Sequence, residues 1–65
     1  MTREEKVAYI IAQSICAAAE LQAMRAANTA ATAAGQPPPW DPDSFRRIPE
    51  TYGIHHNAIL TYFQE

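Results

Sequence analysis

The chain contains few of the features that stabilise small proteins. Its 65 residues include one cysteine, which excludes an internal disulfide, and only two glycines. Chains of this size bury little apolar surface and usually rely on disulfides, a metal or a partner. The lone Cys16 lies between Ile15 and Ala17, and no base or positive charge is near it to activate the thiol. We therefore predict that Cys16 is a small buried hydrophobic residue, and that the protein occupies a reducing compartment.

Positive charge is also scarce in this sequence. Five Lys and Arg residues face seven Asp and Glu residues, so the net charge is −2 at pH 7. This balance argues against a protein built mainly to coat nucleic acid or an anionic membrane. The first residues carry charges of both signs, so no signal peptide is expected. Polar side chains interrupt the apolar stretch that follows, so no membrane span is expected, and the predicted location is the cytoplasm.

The residue combinations typical of enzymes are missing. There is no Gly-rich phosphate loop, no supported carboxylate pair, and no serine or cysteine with a base placed beside it. His55 and His56 are adjacent, and neighbouring residues on a helix point about 100° apart. A helical pair of metal ligands needs a spacing such as four residues. We therefore predict a non-enzymatic protein without a metal or a cofactor.

The first part of the chain predicts one long helix over residues 1–35. No glycine or proline precedes Gly35, and alanine, the best helix former, is abundant. Thr2 and Glu5 have the spacing of a capping box. Gly35 and the prolines after it are typical of a helix end. Apolar side chains recur every three or four positions, which predicts one buried stripe: Val7, Ile10, Ile11, Ala17, Ala18, Leu21 and Met24.

The rest of the chain predicts a rigid linker and a helical hairpin. Residues 36–41 form a proline-rich, extended linker that sets down Trp40. Residues 42–65 form the hairpin. Its first helix is capped by Asp41 and ended or kinked by Pro49. Gly53 makes the turn, and the last helix is expected from Ile54 to Gln64.

Together these elements predict a single all-α domain over residues 1–65 that assembles into an oligomeric helical bundle. A helix of about 30 residues is roughly 45 Å long, and the remaining chain is too short to cover it. The partner is expected to be a second copy of the chain. The residues assigned to this assembly surface are apolar: Val7, Ile10, Ile11, Leu21, Met24 and Trp40.

Residues 45–59 resemble a helix-turn-helix. Gly53 falls at the turn position, and Ile48 and Ile59 fall where two such helices pack together. The resemblance implies that the second helix exposes side chains that read bases. However, Pro49 breaks the first helix, and no Lys or Arg follows Arg47, whereas tight DNA binders neutralise about 6–10 phosphates. A DNA-binding regulator is therefore the alternative, and a hairpin packed on the long helix is favoured.

The tail from Phe45 to Phe63, following an Ala-rich helix that carries Cys16, Glu20, Met24 and Asn28, resembles a group of small bacteriophage-encoded proteins. This resemblance implies action by binding in the host cytoplasm. Such a protein inhibits a bacterial defence or regulatory pathway by blocking a host protein or sequestering a nucleotide-type signal. A structural or scaffold subunit is the other alternative. The candidate residues for a host protein or a small phosphate-bearing ligand are Arg46, Arg47, Tyr52, His55, His56, Asn57 and Thr61.

Overall fold

The computed structural model describes residues 1–64, which are helical with no strand among them. In chain order the helices are α1 (Arg3–Ala33), α2 (Pro42–Arg46), α3 (Ile48–Thr51) and α4 (His56–Tyr62). The predicted all-α fold, with one long N-terminal helix and short C-terminal helices, is confirmed. The molecule is elongated, measuring 51 × 18 × 10 Å, because α1 sets its length and the rest of the chain folds back along one side of it.

Local hydrogen bonds fix both ends of α1. The amide of Glu5 donates to Thr2 Oγ1, and the amide of Thr2 donates to the Glu5 carboxylate, both at 3.1 Å. This second bond is the main reason why the pKa of Glu5 lies below its usual value. At the other end, Gly35 has a φ of +72°, and the amide of Gln36 donates to the carbonyl of Ala31 at 2.8 Å. That pattern is a Schellman motif, which needs a residue in the left-handed region.

A break at Arg47 separates α2 from α3. Asp41 caps α2 by accepting the amide of Ser44 at 2.8 Å, and Pro42 occupies the first turn, where no amide hydrogen is needed. Arg47 keeps helical dihedral angles, and Pro49 then falls in the first turn of α3. Proline is tolerated there because an amide in the first turn has no partner within the helix, so Pro49 does not prevent α3 from forming.

The turn before α4 involves Ile54 as well as Gly53. Gly53 has a φ of +67°, and the amide of Ile54 donates to the carbonyl of Pro49 at 2.8 Å. Ile54 therefore completes the C-terminal cap of α3, and His55 follows in an extended conformation as the N-cap of α4. The predicted start of the last helix at Ile54 is wrong by two residues for this reason.

A small core lies between α1 and the segment that contains α2 and α3. Its buried members are Ala17, Met24 and Ile48, at 7%, 4% and 9% exposure. The half-buried side chains packed against them are Leu21, Phe45, Tyr52 and Ile54. Leu21 and Met24, which the sequence analysis assigns to an assembly surface, are therefore covered by this chain's own hairpin. Ile10 is half-buried as well.

The apolar stripe predicted for α1 divides between two sides of the helix. Val7 and Ile11 remain 43% and 55% exposed, and Ile15 is 66% exposed. Cys16 is exposed too, so the prediction that it is buried is wrong. We call the uncovered stripe of α1 the outer face. Its members, every three or four residues, are all exposed: Glu4, Val7, Ile11, Ile15, Ala18, Gln22 and Arg25.

α4 reaches the N-terminal part of α1 through aromatic side chains. The rings of Tyr9 and Tyr62 meet edge to face, with their centroids 5.9 Å apart. Partial desolvation and the neighbouring Tyr9 raise the pKa of Tyr62. The guanidinium of Arg3 lies 5.8 Å from the centroid of the Phe63 ring, which is a cation–π contact. These contacts hold the end of the chain against the first turns of α1.

The composition of α1 also meets a simple test for membrane-spanning helices. It contains an 18-residue window with a mean hydropathy of 1.3, of which 11% is buried within the chain. Core helices of soluble proteins and N-terminal signal sequences pass the same test, so this pattern is weak evidence for a membrane location.

Candidate binding cleft

A cleft of about 310 Å³ lies between the middle of α1 and the α2–α3 segment. Two buried apolar side chains, Met24 and Ile48, line it together with two aromatic residues, two hydroxyl side chains and two residues of opposite charge. The full lining is Glu20, Met24, Trp40, Ser44, Arg47, Ile48, Thr51 and Tyr52. The cleft therefore combines apolar and aromatic surface with a few polar groups, as ligand and peptide sites commonly do.

Two polar contacts across the fold hold the aromatic residues of the cleft. The Asn28 amide group donates to the Trp40 carbonyl at 2.9 Å and accepts the Trp40 amide at 3.0 Å. The Gln13 amide group donates to the Tyr52 carbonyl at 3.0 Å. Since Asn28 and Gln13 are 15 residues apart on α1, they anchor the returning chain about 22 Å apart along the helix. These contacts fix the backbone of Trp40 and of Tyr52 at two separate points on α1, and both side chains line the cleft between them.

The two arginines predicted to bind a ligand have different surroundings. Arg46 forms an ion pair with Asp43 at 2.7 Å, and both side chains are largely exposed. Arg47 makes no ion pair within residues 1–64 and lines the cleft. Two hydrogen bonds from Ser44, from its amide and then its hydroxyl, lower the pKa of Asp41, and the positive charge of Arg47 lowers it further. Arg47 therefore contributes its charge to the cleft, next to an ionised Asp41.

The polar groups of the cleft suit an anionic ligand poorly. Glu20 borders it with a negative charge, opposite in sign to Arg47. Both hydroxyls already donate hydrogen bonds, Ser44 to the Asp41 carboxylate at 2.9 Å and Thr51 to the Arg47 carbonyl at 3.0 Å. A phosphate would gain one guanidinium, whose charge already interacts with Asp41, and would face the carboxylate of Glu20. Charges of both signs beside apolar surface instead favour a group without net negative charge.

The remaining candidate ligand residues do not line this cleft. His56 and Asn57 are exposed on the first turn of α4. Thr61 donates to the Asn57 carbonyl at 2.9 Å, so its hydroxyl serves α4 itself. His55 is half-buried, and its Nδ1 has no hydrogen-bond partner among the described residues. The structure thus brings Arg47 and Tyr52 together and leaves the other five candidates outside: Arg46, His55, His56, Asn57 and Thr61.

Several residues of the cleft were not identified from the sequence. The capping pattern of Asp41 and Ser44 could have indicated that Ser44 lies near the end of the linker. Glu20 lies four residues before Met24, a spacing that places it on the same side of α1. The contacts of Gln13 and Asn28 were not predictable, because their partners are backbone groups far away in the sequence.

The resemblance to a helix-turn-helix extends only to the turn. Gly53 does adopt the left-handed conformation, but α3 has four residues and α4 has seven. No Lys or Arg is present in residues 48–64. A helix of two turns without a cation offers little to the phosphates that flank a major groove. The geometry gives the DNA-binding alternative no further support.

The described residues contain no group of three or more His, Cys, Asp or Glu side chains placed to hold a metal ion. Comparison with known proteins adds no relative: no protein-family model, no curated protein and no solved structure matches this chain.

Proposed function

We propose that this chain is a non-enzymatic binding protein that holds a segment of a partner polypeptide in the cleft between α1 and the α2–α3 segment. The observation that supports this best is the placement of Trp40 and Tyr52 beside buried Met24 and Ile48. Trp40 keeps 41% of its surface exposed although its backbone is fixed by Asn28. A rigidly held, accessible tryptophan is typical of the anchor residues of protein interfaces.

The charges around the cleft favour a polypeptide over a nucleotide. A peptide carries no net charge along its backbone, and its amides can donate to the free lone pairs of the Ser44 and Thr51 hydroxyls. The partner segment is expected to insert one apolar or aromatic side chain between Trp40 and Tyr52. A basic neighbour would meet Glu20, and an acidic neighbour would meet Arg47. As an inhibitor of a bacterial pathway, this protein would then act by blocking a host protein rather than by sequestering a nucleotide-type signal.

Capture from a bacterial lysate tests this proposal when the variants are matched. Trp40→Ala removes the anchor of the cleft, and Leu60→Ala removes an exposed apolar side chain on α4, which at 52% exposure is at least as accessible as Trp40. We expect the wild type and Leu60→Ala to retain the same host protein and Trp40→Ala to lose it. Circular dichroism of each variant establishes that the helices are intact.

Two results would count against the proposal. One is a captured protein that Trp40→Ala retains as well as the wild type, because the cleft would then not be the contact. The other is a native mass spectrum of the purified protein that carries a bound phosphate compound, lost on Arg47→Ala. That outcome would restore the sequestration hypothesis. Because Trp40 is the sole tryptophan, its fluorescence reports binding of a purified partner directly.

A further inference from the structure

The outer face of α1 carries a pattern that the fold of the single chain does not use. Its residues Glu4, Ile11, Ala18 and Arg25 repeat at intervals of seven, and all four are exposed. Between them lie Val7 and Ile15, which are 43% and 66% exposed. The C-terminal segment covers the opposite side of the helix, through Gln13, Ala17 and Met24. Residues seven apart on a helix lie on one face, so these side chains form a single stripe along α1 that the chain itself leaves uncovered.

We propose that the outer face of α1 pairs with the same face of a second copy of this chain, with the two helices antiparallel. The proposal does not depend on what occupies the cleft. It commits to one partner and one orientation, and two independent properties of the face support it: the distribution of side-chain size and the distribution of charge.

Side-chain size differs between the two halves of the outer face. Val7 and Ile11 lie in the N-terminal half of the face, Ile15 lies at its centre, and the C-terminal half presents Ala18 with further alanines beside it. In an antiparallel pair with Glu4 level with Arg25, Ile11 packs against the small Ala18 of the second copy, and the two Ile15 side chains meet at the centre. A parallel pair would stack isoleucine on isoleucine at one end and leave a gap between alanines at the other.

Charge has the same asymmetry. Glu4 is the acidic residue at one end of the face and Arg25 is the basic residue at the other, about 32 Å away along the helix. Neither takes part in an ion pair within the described part of the chain. An antiparallel pair that sets Glu4 level with Arg25 of the second copy also sets Ile11 level with Ala18 of that copy, because both pairs of numbers share one midpoint. A parallel pair would oppose like charges at both ends.

The pair forms on the side of α1 that faces away from the cleft. Glu20 and Met24 line the cleft, whereas Ala18, Gln22 and Arg25 lie on the outer face. Two copies can therefore associate while both clefts stay open, and the assembly presents two binding sites pointing in opposite directions.

Charge exchange tests both the pairing and its orientation. We would measure the dissociation constant by sedimentation equilibrium, in low salt with a reductant present, for the wild type, Glu4→Arg, Arg25→Glu and the double variant. Each antiparallel dimer has two Glu4–Arg25 contacts, so each single change is expected to weaken dimerisation about tenfold. The double variant restores both contacts with the signs exchanged, and its affinity is expected to return to the wild-type value. In a parallel dimer no such restoration occurs.

Ile15→Asp is the variant expected to give monomers, and Leu60→Asp is its control away from the outer face. Both should keep the helical circular dichroism of the wild type. The proposal is overturned if the wild type sediments as a monomer of 7.2 kDa at about 100 µM, a concentration at which a pair with a dissociation constant of about 1 µM is almost wholly dimeric. It is also overturned if the double variant dimerises as poorly as the single ones, or if monomers bind neutral phospholipid vesicles in an Ile15-dependent manner.

Discussion

Replacing each of the two glycines by alanine should have unequal effects, although the backbone is the same at both. Gly35 and Gly53 have φ values of +72° and +67°, and each ends a helix in a Schellman motif. A Cβ at position 35 would meet nothing within 4 Å, whereas a Cβ at position 53 would lie 3.2 Å from the hydroxyl oxygen of Tyr62. Comparing the two alanine variants therefore separates the cost of backbone strain from the cost of a side-chain collision.

The structure gives an order of magnitude for the loss of folding stability that each substitution causes. The left-handed conformation costs an L-residue about 1–2 kcal/mol, and the reduced freedom of the unfolded chain returns about 0.4–1 kcal/mol. Gly35→Ala should therefore destabilise by roughly 0–1.6 kcal/mol. Gly53→Ala must also shift the Tyr62 hydroxyl by a few tenths of an ångström, which disturbs its contact with Tyr9, and the full worth of an aromatic pair, about 0.5–1.5 kcal/mol, bounds that extra loss. Roughly 1 kcal/mol of extra loss lowers the melting temperature of a domain this small by about 4–8 °C.

Thermal unfolding followed by circular dichroism, at one protein concentration for all variants, measures this difference. The control is Tyr62→Phe, which removes only the hydroxyl that the new Cβ would meet. In that background Gly53→Ala should cost no more than Gly35→Ala. Equal melting temperatures for the two alanine variants in the wild-type background would refute the packing of α4 over the turn.

Three further outcomes follow from the core, the linker contact and the cap. Met24→Ala should destabilise the protein by about 2–5 kcal/mol in urea titrations, because it opens a cavity in a core that has few buried members; a loss below about 1 kcal/mol would mean that the hairpin does not cover Met24. Asn28→Ala should remove two hydrogen bonds to the backbone of Trp40 and cost about 1–2 kcal/mol of stability. It should also shift the fluorescence of Trp40 to longer wavelength. An unchanged emission maximum would contradict the anchoring of Trp40 by Asn28. Because the pKa of Asp41 is lower in the folded protein than its usual value of 3.8, the ionised carboxylate stabilises the fold above that pH, and stability should decline as the pH falls below it. Asp41→Asn keeps a capping oxygen but does not titrate, so it should flatten the decline. An acid profile of Asp41→Asn identical to that of the wild type would exclude this contribution of the carboxylate.

The helix ends were predictable because each is determined by neighbouring residues. Thr2 and Glu5 satisfy each other's amides within one turn, and Gly35 supplies the one conformation that closes a Schellman motif. The start of α4 was not predictable in this way. Ile54 has an apolar side chain that fits a helical pattern, but its amide is already used to complete the cap of α3. The spacing of apolar residues cannot show that the cap of α3 already uses an amide that an earlier start of α4 would need.

The division of α1 into two faces could not be read from the sequence either. Alanine on all sides of the helix makes the apolar stripe broad, so Val7 and Met24 appear to belong to one surface. The inner side of α1 is determined by the side-chain amides of Gln13 and Asn28, which bond to backbone groups of Tyr52 and Trp40. The sequence assigned Trp40 to an assembly surface and Tyr52 to the candidate binding residues, and only the folded chain places both at one cleft.

The most direct test of the account is a filtered nuclear Overhauser experiment on an equal mixture of isotope-labelled and unlabelled protein, which distinguishes contacts within a chain from contacts between chains. We expect the Met24–Ile48 and Tyr9–Tyr62 contacts only within chains, and contacts from Ile11 to Ala18 only between chains. Contacts between Met24 of one chain and Ile48 of another would contradict the account, because the hairpin would then cover its neighbour's helix instead of its own.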